Sequence, residues 1–217
     1  MHAVTTAPAV RPTARRHHLA LLGAGVAVLV AGMLVVRDGT VPAVERAAFR
    51  AVNDLPDALY PVMWPVLQLG AVLVGPLVAV IALATRRRRL AVAAIAVTVL
   101  KLGAERLVKV FVSRQRPGTS IGPDIHARGD VHLTGESFVS GHAALVAALA
   151  VVVTPYLPRR WRVVPAVLAA AVAVGRVYVG AHNPLDVVCG AALGVVIGLL
   201  VDALTRRLVG TPVEVRS

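Results

Sequence analysis

Cysteine is nearly missing from this chain, aromatic residues are few, and charges are scarce and unequally divided. The one cysteine, Cys189, excludes an intramolecular disulfide and a cysteine-based zinc site. Charged residues make up 16% of the 217 and hydrophobic ones 57%, with a mean hydropathy of +0.76. An ordinary soluble domain carries about 25% charged residues, so the composition is that of an integral membrane protein. Acidic residues number 11 against 23 Lys and Arg, a net charge of +12. Such an excess can mark a nucleic-acid binder, but here the cations sit in short clusters between apolar runs, where they orient a chain in a bilayer. No nucleic-acid partner is expected.

What is present is a series of apolar runs. Residues 1–17 are polar and basic and precede a run from Leu19 to Val36. That layout resembles a signal peptide, but 18 apolar residues exceed a typical signal core and no small-x-small cleavage site stands out; an uncleaved first span is expected. Further runs cover Leu59–Thr85, Leu90–Val112, Ala143–Leu157, Val163–Ala181 and Pro184–Leu204. Six spans of about 20 residues use roughly 120 residues, which leaves no room for a large extramembrane domain. The expected fold is therefore all-α, a polytopic membrane bundle of six transmembrane helices. Residues 1–18 form a cytoplasmic tail, 19–204 the membrane domain with an outer loop at 113–140, and 205–217 a second cytoplasmic tail.

Between the first two runs, Val41, Val44, Ala48, Val52 and Leu55 recur at helical spacing, with Glu45, Arg46, Arg50 and Asn53 elsewhere on the wheel. This reads as an amphipathic helix on the membrane surface or as an ordinary connecting helix. In the third run Lys101 and Glu105 are four apart and are expected to pair on one helix face.

Orientation follows from the cations. With the N-terminus inside, the inner segments hold Arg11, Arg15, Arg16, Arg86 to Arg89, Arg159, Arg160, Arg162, Arg206, Arg207 and Arg216, against only Asp202 and Glu214. Tyr60 and Trp64 then mark the outer interface, and Tyr156 and Trp161 the inner one. This arrangement brings together, outside the cell, the end of span three, the polar loop, the start of span four, the end of span five and the start of span six.

Those places hold the unusual charges. Lys109 and Arg116, seven apart, can point two cations at one anion, and Arg176 supplies a third, which suits a phosphate whose charge spreads over its non-bridging oxygens. Ser140 and Gly141 precede the fourth span, where a hydroxyl and free backbone N–H groups make an anion cradle. His142 is suited to protonate a leaving alkoxide. His182 attacks phosphorus only as the neutral imidazole, and Asp186, four residues on, is placed to hold the proton on Nδ1. Each residue alone has a plainer reading: Ser140 as a helix cap, Asn183-Pro184-Leu185-Asp186 as a helix start, the cations as interfacial anchors, the histidines as structural. All of them on one face favour a phosphate site.

The three segments resemble the signature of the type 2 phosphatidic acid phosphatase family, related to vanadium haloperoxidases and bacterial nonspecific acid phosphatases. The pattern K-x6-R-P falls on Lys109–Pro117, P-S-G-H on Val139–His142, and S-R-x5-H-x3-D on Gly175–Asp186. Val139 stands in place of the proline and Gly175 in place of the serine, and neither change removes an atom the chemistry needs. The resemblance implies phosphate binding by Lys109, Arg116, Ser140, Gly141 and Arg176, His142 as general acid, His182 as nucleophile and Asp186 as its orienting carboxylate. It also implies a metal-free hydrolase without cofactors, acting at the outer face of the cell membrane. The substrates it implies are polyprenyl phosphate or diphosphate, phosphatidic acid and phosphatidylglycerol phosphate. Two rivals remain: a phosphotransferase using an acceptor other than water, and a non-catalytic lipid-phosphate binding or transport protein. The loop residues Asp124, His126, Asp130, His132 and Glu136 match no metal motif; they read as a solvated loop or as selectors of the substrate head group.

Overall fold

A computed structural model describes residues 12–209, so parts of both expected cytoplasmic tails, with Arg11, Glu214 and Arg216, lie outside the described residues. Among the described residues there are helices and no strands, apart from one isolated bridge between Gln115 and Glu136. Helices α1 (Pro12–Val36), α2 (Ala43–Asn53), α3 (Tyr60–Gln68), α4 (Val74–Ala84) and α5 (Arg88–Phe111) precede a long connection. That connection carries the short α6 (Pro117–Ser120), and α7 (Gly141–Val153), α8 (Val164–Tyr178) and α9 (Pro184–Val209) follow. Three helical stretches are long and apolar enough to cross a membrane, Arg16–Val36, Arg159–Tyr178 and Pro184–Leu208; Val74–Ala84 and Gly141–Tyr156 are apolar but shorter.

The run expected as one span over Leu59–Thr85 is two helices, α3 and α4, separated by turns at residues 69–73. The break puts Gly70 against α7: a Cβ there would lie 2.7 Å from the Cβ of His142. Pro65 inside α3 removes one backbone hydrogen bond ahead of the break, and Pro76 sits in the first turn of α4, where a missing N–H costs nothing and the helix can restart.

Helix α7 is the centre of the bundle, buried along most of its length and packed against α9, α8 and α5. Its closest neighbour is α9, and Gly190, Gly194 and Gly198 form the seam. A Cβ on Gly190 would stand 2.5 Å from the Ser140 carbonyl oxygen, one on Gly198 2.8 Å from Val151 Cβ, and one on Gly194 would collide with the Ala144 carbonyl. Glycine at every fourth residue lets two backbones approach as membrane helices do when no hydrophobic gain separates helix contact from lipid contact.

Two clusters of charge inside the bundle are paired. Arg89, one of the cations expected at the inner side, is buried and bound to Asp202, which also accepts from Arg206 at 2.9 Å. Lys101 and Glu105 pair as their spacing predicts, at 2.7 Å.

Helix α2 forms where the sequence pattern places it, and it turns polar positions of the wheel toward the protein. Glu45, Phe49 and Asn53 are buried and Val44 is 83% exposed. The reason lies in the partners: Asn53 donates to the carbonyls of Tyr178 (2.9 Å) and His126 (2.8 Å), and Glu45 meets a buried arginine. Polar groups that find partners are buried at small cost.

Candidate active site

The site lies where α5 ends and α7 and α9 begin. Its geometry starts from how α8 stops. Gly180 has φ +77°, in the left-handed region; its N–H donates to the Val177 carbonyl at 2.9 Å, and the Ala181 N–H to the Arg176 carbonyl at 3.1 Å. This is a Schellman end with glycine just past the cap. It fixes Arg176 on the last turn of α8 and starts the turn that presents His182. Asn183 and Pro184 then open α9, and the Asn183 N–H donates to Asp186 Oδ2 at 2.8 Å, half of a capping box. The helix-start reading of Asp186 is therefore correct in geometry, and it accounts for one carboxylate oxygen.

The other oxygen carries the unexpected contact. Asp186 Oδ1 accepts from Arg114 Nη1 at 2.9 Å, with both side chains fully buried. Arg114 also binds both carboxylate oxygens of Glu45, Nη1 meeting Oε1 at 3.0 Å and Nη2 meeting Oε2. Burial disfavours the Arg114 charge, yet Glu45 and Asp186 outweigh it and raise its pKa above the ordinary arginine value.

His182 is buried, with Nδ1 3.8 Å from Asp186 Oδ2 and no hydrogen-bond partner. This separation is longer than a hydrogen bond, so the expected Asp186 to His182 bond is a near approach in this structure. Burial lowers the His182 pKa below the usual imidazole value, against the opposing pull of Asp186; Arg176 and Arg116 push in the same direction as burial. The ring is thus biased toward the neutral form that has a free lone pair.

A cavity of about 750 Å³ has His182, His142, Arg116, Arg176, Gly141, Lys101 and Glu105 in its wall, with Tyr60, Trp64, Gln68, Asp130 and His132 also lining it. Arg116 spends one nitrogen on the Ala181 carbonyl at 2.9 Å, and burial lowers its pKa. Arg176 Nε has no partner and is buried. Ser140 Oγ is likewise buried without a partner and makes no cap bond, so the plain helix-cap reading of Ser140 does not hold. The Ser140 backbone N–H donates instead to the Asp186 carbonyl at 2.9 Å, which ties the start of α7 to the first turn of α9. A smaller cleft of about 160 Å³ beside α4, α7 and α8 is lined by apolar residues alone.

Two cations exchange expected places. Lys109 does not line the cavity; its Nζ binds Glu105 Oε1 at 3.0 Å. Lys101, read from sequence as structural, does line it, and Gly141 makes room for it, since a Cβ there would stand 2.6 Å from Lys101 Nζ. Arg128 also lines the cavity, with its guanidinium committed to a clamp: it donates to the carbonyls of Tyr178 (2.6 Å), Leu55 (2.7 Å) and Asn53 (2.9 Å) and to Asp57 at 2.8 Å. Among the described residues no group of three or more His, Cys, Asp or Glu side chains is arranged to hold a metal.

The profile of the PAP2 superfamily matches residues 88–209, more than half of the chain. The chain belongs to the PAP2 superfamily. Its curated relatives include decaprenylphosphoryl-5-phosphoribose phosphatase of Mycobacterium tuberculosis, 34% identical over 61% of this chain and 70% of that protein. Undecaprenyl-diphosphatase of Sulfolobus acidocaldarius is 29% identical over 55% of this chain and 57% of that protein. Two solved structures share the PAP2 fold. A transmembrane PAP2-type phosphatidylglycerolphosphate phosphatase from Bacillus subtilis has a TM-score of 0.62 at 24% identity, covering 85% of this chain and 96% of that one. Aquifex aeolicus LpxE has a TM-score of 0.58 at 22% identity, covering 71% and 92%. With its apolar helices, this PAP2 chain is a membrane protein.

Proposed function

We propose that the chain is an integral membrane phosphatase that hydrolyses a lipid phosphate or diphosphate through a phosphohistidine on His182, without a metal ion. The observation that carries this reading is the convergence on one cavity wall of two arginines and two histidines from α7, α8 and both connections. Neutral His182 attacks phosphorus with its Nε2 lone pair, and the bond from phosphorus to the leaving oxygen breaks. His142 gives that oxygen a proton. Arg116 and Arg176 take the charge that gathers on the non-bridging oxygens, with Ser140 and Gly141 at the start of α7 as further donors and Lys101, in place of Lys109, as the cation that α5 brings to the cavity wall. Water, deprotonated by His142, then cleaves the N–P bond and frees phosphate. Asp186 keeps the His182 proton on Nδ1 throughout.

The membrane arrangement that goes with this chemistry has six membrane segments, both termini in the cytoplasm and the cavity at the outer face. The paired α3 and α4 together make the second segment. The relatives' substrates, a polyprenyl phosphosugar phosphate and a polyprenyl diphosphate, support a substrate of that kind, and phosphatidylglycerol phosphate and phosphatidic acid belong to the same set of candidates. The test is phosphate release by the purified protein across a panel of lipid phosphates and diphosphates, with His182→Ala as the blank. Release from at least one substrate, abolished in the variant, is expected; binding without release from any of them refutes the phosphatase reading.

A further inference from the structure

Glu45 lies on α2, outside residues 88–209 that match the superfamily, yet it reaches the candidate catalytic carboxylate through a single side chain. Arg114 is fully buried between Glu45 and Asp186, and Glu45 Oε1 also accepts the backbone N–H of Leu185 at 2.8 Å, in the first turn of α9. A buried guanidinium facing one carboxylate neutralises it and weakens it as an acceptor; facing two, its charge is divided. We propose that the Glu45–Arg114 pair is the positioning device of the site: Arg114 fixes Asp186, and Glu45 draws off enough of the guanidinium charge to leave Asp186 an effective acceptor for the Nδ1–H of His182.

The proposal rests on His182 being the nucleophile. The groups that face His182 are Asp186 from α9, Arg176 from α8, Arg116 from the long connection and His142 from α7. Three of these are basic, so Asp186 is the one group that holds the ring in the tautomer with Nε2 free. Both of its oxygens already have a partner, Oδ1 in Arg114 and Oδ2 in the Asn183 N–H. Its remaining capacity as an acceptor depends on how much of its charge Arg114 leaves to it.

The test reads the tautomer of His182 by ¹⁵N-histidine NMR of the full chain in detergent micelles, with the His182 signal identified by difference against His182→Ala. The wild type is expected in the Nδ1–H form at neutral pH. In Glu45→Gln the Nε2–H form becomes populated and the protonation midpoint moves to lower pH. Phosphate release by the same variant shows kcat lowered roughly 10- to 100-fold with KM within about twofold, and Glu45→Asp recovers the tautomer and most of kcat. A folded Glu45→Gln with an unchanged tautomer and midpoint, or a loss carried by KM alone, overturns the proposal. If Glu45→Gln does not fold, Arg114→Lys is read in its place, because a single ammonium cannot hold both carboxylates in the guanidinium geometry; Asp186 then loses its fixed position and the Nε2–H form is expected to become populated, and an unchanged tautomer overturns the proposal. The tautomer is read without turnover, so a wild type that releases no phosphate refutes the phosphatase reading while the clamp is still judged.

Discussion

Asp186 Oδ2 stands 3.8 Å from His182 Nδ1 while it accepts the Asn183 N–H at 2.8 Å. One carboxylate thus starts a helix and faces the imidazole. Asp186→Asn keeps the shape and can still meet Asn183 through its oxygen, but it cannot hold the histidine tautomer through a charge. Turnover is expected to fall by about 10²- to 10⁴-fold, in line with the loss when an orienting aspartate becomes asparagine in other histidine-based sites. Steady-state kinetics with a lipid phosphate check this; a loss below about tenfold removes Asp186 from the mechanism.

The pH dependence follows from burial. The His182 pKa is lowered from its ordinary value, 6.5, chiefly by desolvation, and the attacking form is neutral. A lowered pKa means the neutral form persists as the pH falls, so the acid limb of kcat/KM, which reports the free enzyme, lies on the acid side of the ordinary imidazole value. Activity on that limb should fall off at lower pH than an ordinary imidazole would make it. An acid limb centred above the ordinary value contradicts the burial argument.

Arg176 reaches the cavity with a buried, unpartnered Nε. Arg176→Gln removes a donor aimed at the phosphate oxygens and should cost about 10²- to 10³-fold in kcat/KM, most of it in kcat. Arg176→Lys keeps the charge but loses the fork and should recover only part. Full activity in Arg176→Lys would show that charge alone is read there.

Glycine-to-alanine changes separate seam from surface. On an exposed helix face the substitution gains about 1 kcal/mol of helix propensity, and nothing stands within 4 Å of a Cβ on Gly103. Gly103→Ala should leave Tm unchanged or raise it. Gly194→Ala and Gly198→Ala push into the α7 backbone and Val151 and should lower Tm, at a cost of about 1–3 kcal/mol for overpacking. Equal Tm values for Gly103→Ala and Gly194→Ala would refute the close α7–α9 seam.

Much of this was readable in advance, for physical reasons that differ by residue. The apolar runs foretell the long helices, Lys101 and Glu105 pair because helical neighbours four apart must face each other, and Pro184 marks the start of α9. The second run conceals a break because its turns at 69–73 are as apolar as the helices beside them. Spacing allows Glu105 to pair with Lys101 or with Lys109, each four residues away on the same helix, but only the bundle shows that it binds both and that Lys101 rather than Lys109 takes the cavity wall. The Glu45–Arg114–Asp186 chain joins residues 69 and 72 positions apart. No periodicity connects such distances; the one local hint is that an arginine beside an apolar segment must find carboxylates if it is buried.

Metal dependence and inhibition test the electrostatic side. Guanidinium groups and helix N–H donors carry the charge in this mechanism, so activity should survive EDTA. Vanadate, which adopts the five-coordinate geometry of phosphoryl transfer, should inhibit more tightly than phosphate. Strict dependence on an added divalent ion, or insensitivity to vanadate, would count against the site.

The central claim is a covalent phosphohistidine, and stereochemistry at phosphorus tests it most directly. Hydrolysis of a lipid phosphate made chiral at phosphorus with oxygen isotopes and sulfur proceeds through two in-line displacements if His182 attacks first. The account predicts net retention of configuration, with no turnover in His182→Ala; net inversion would show that water attacks the substrate directly and would contradict it.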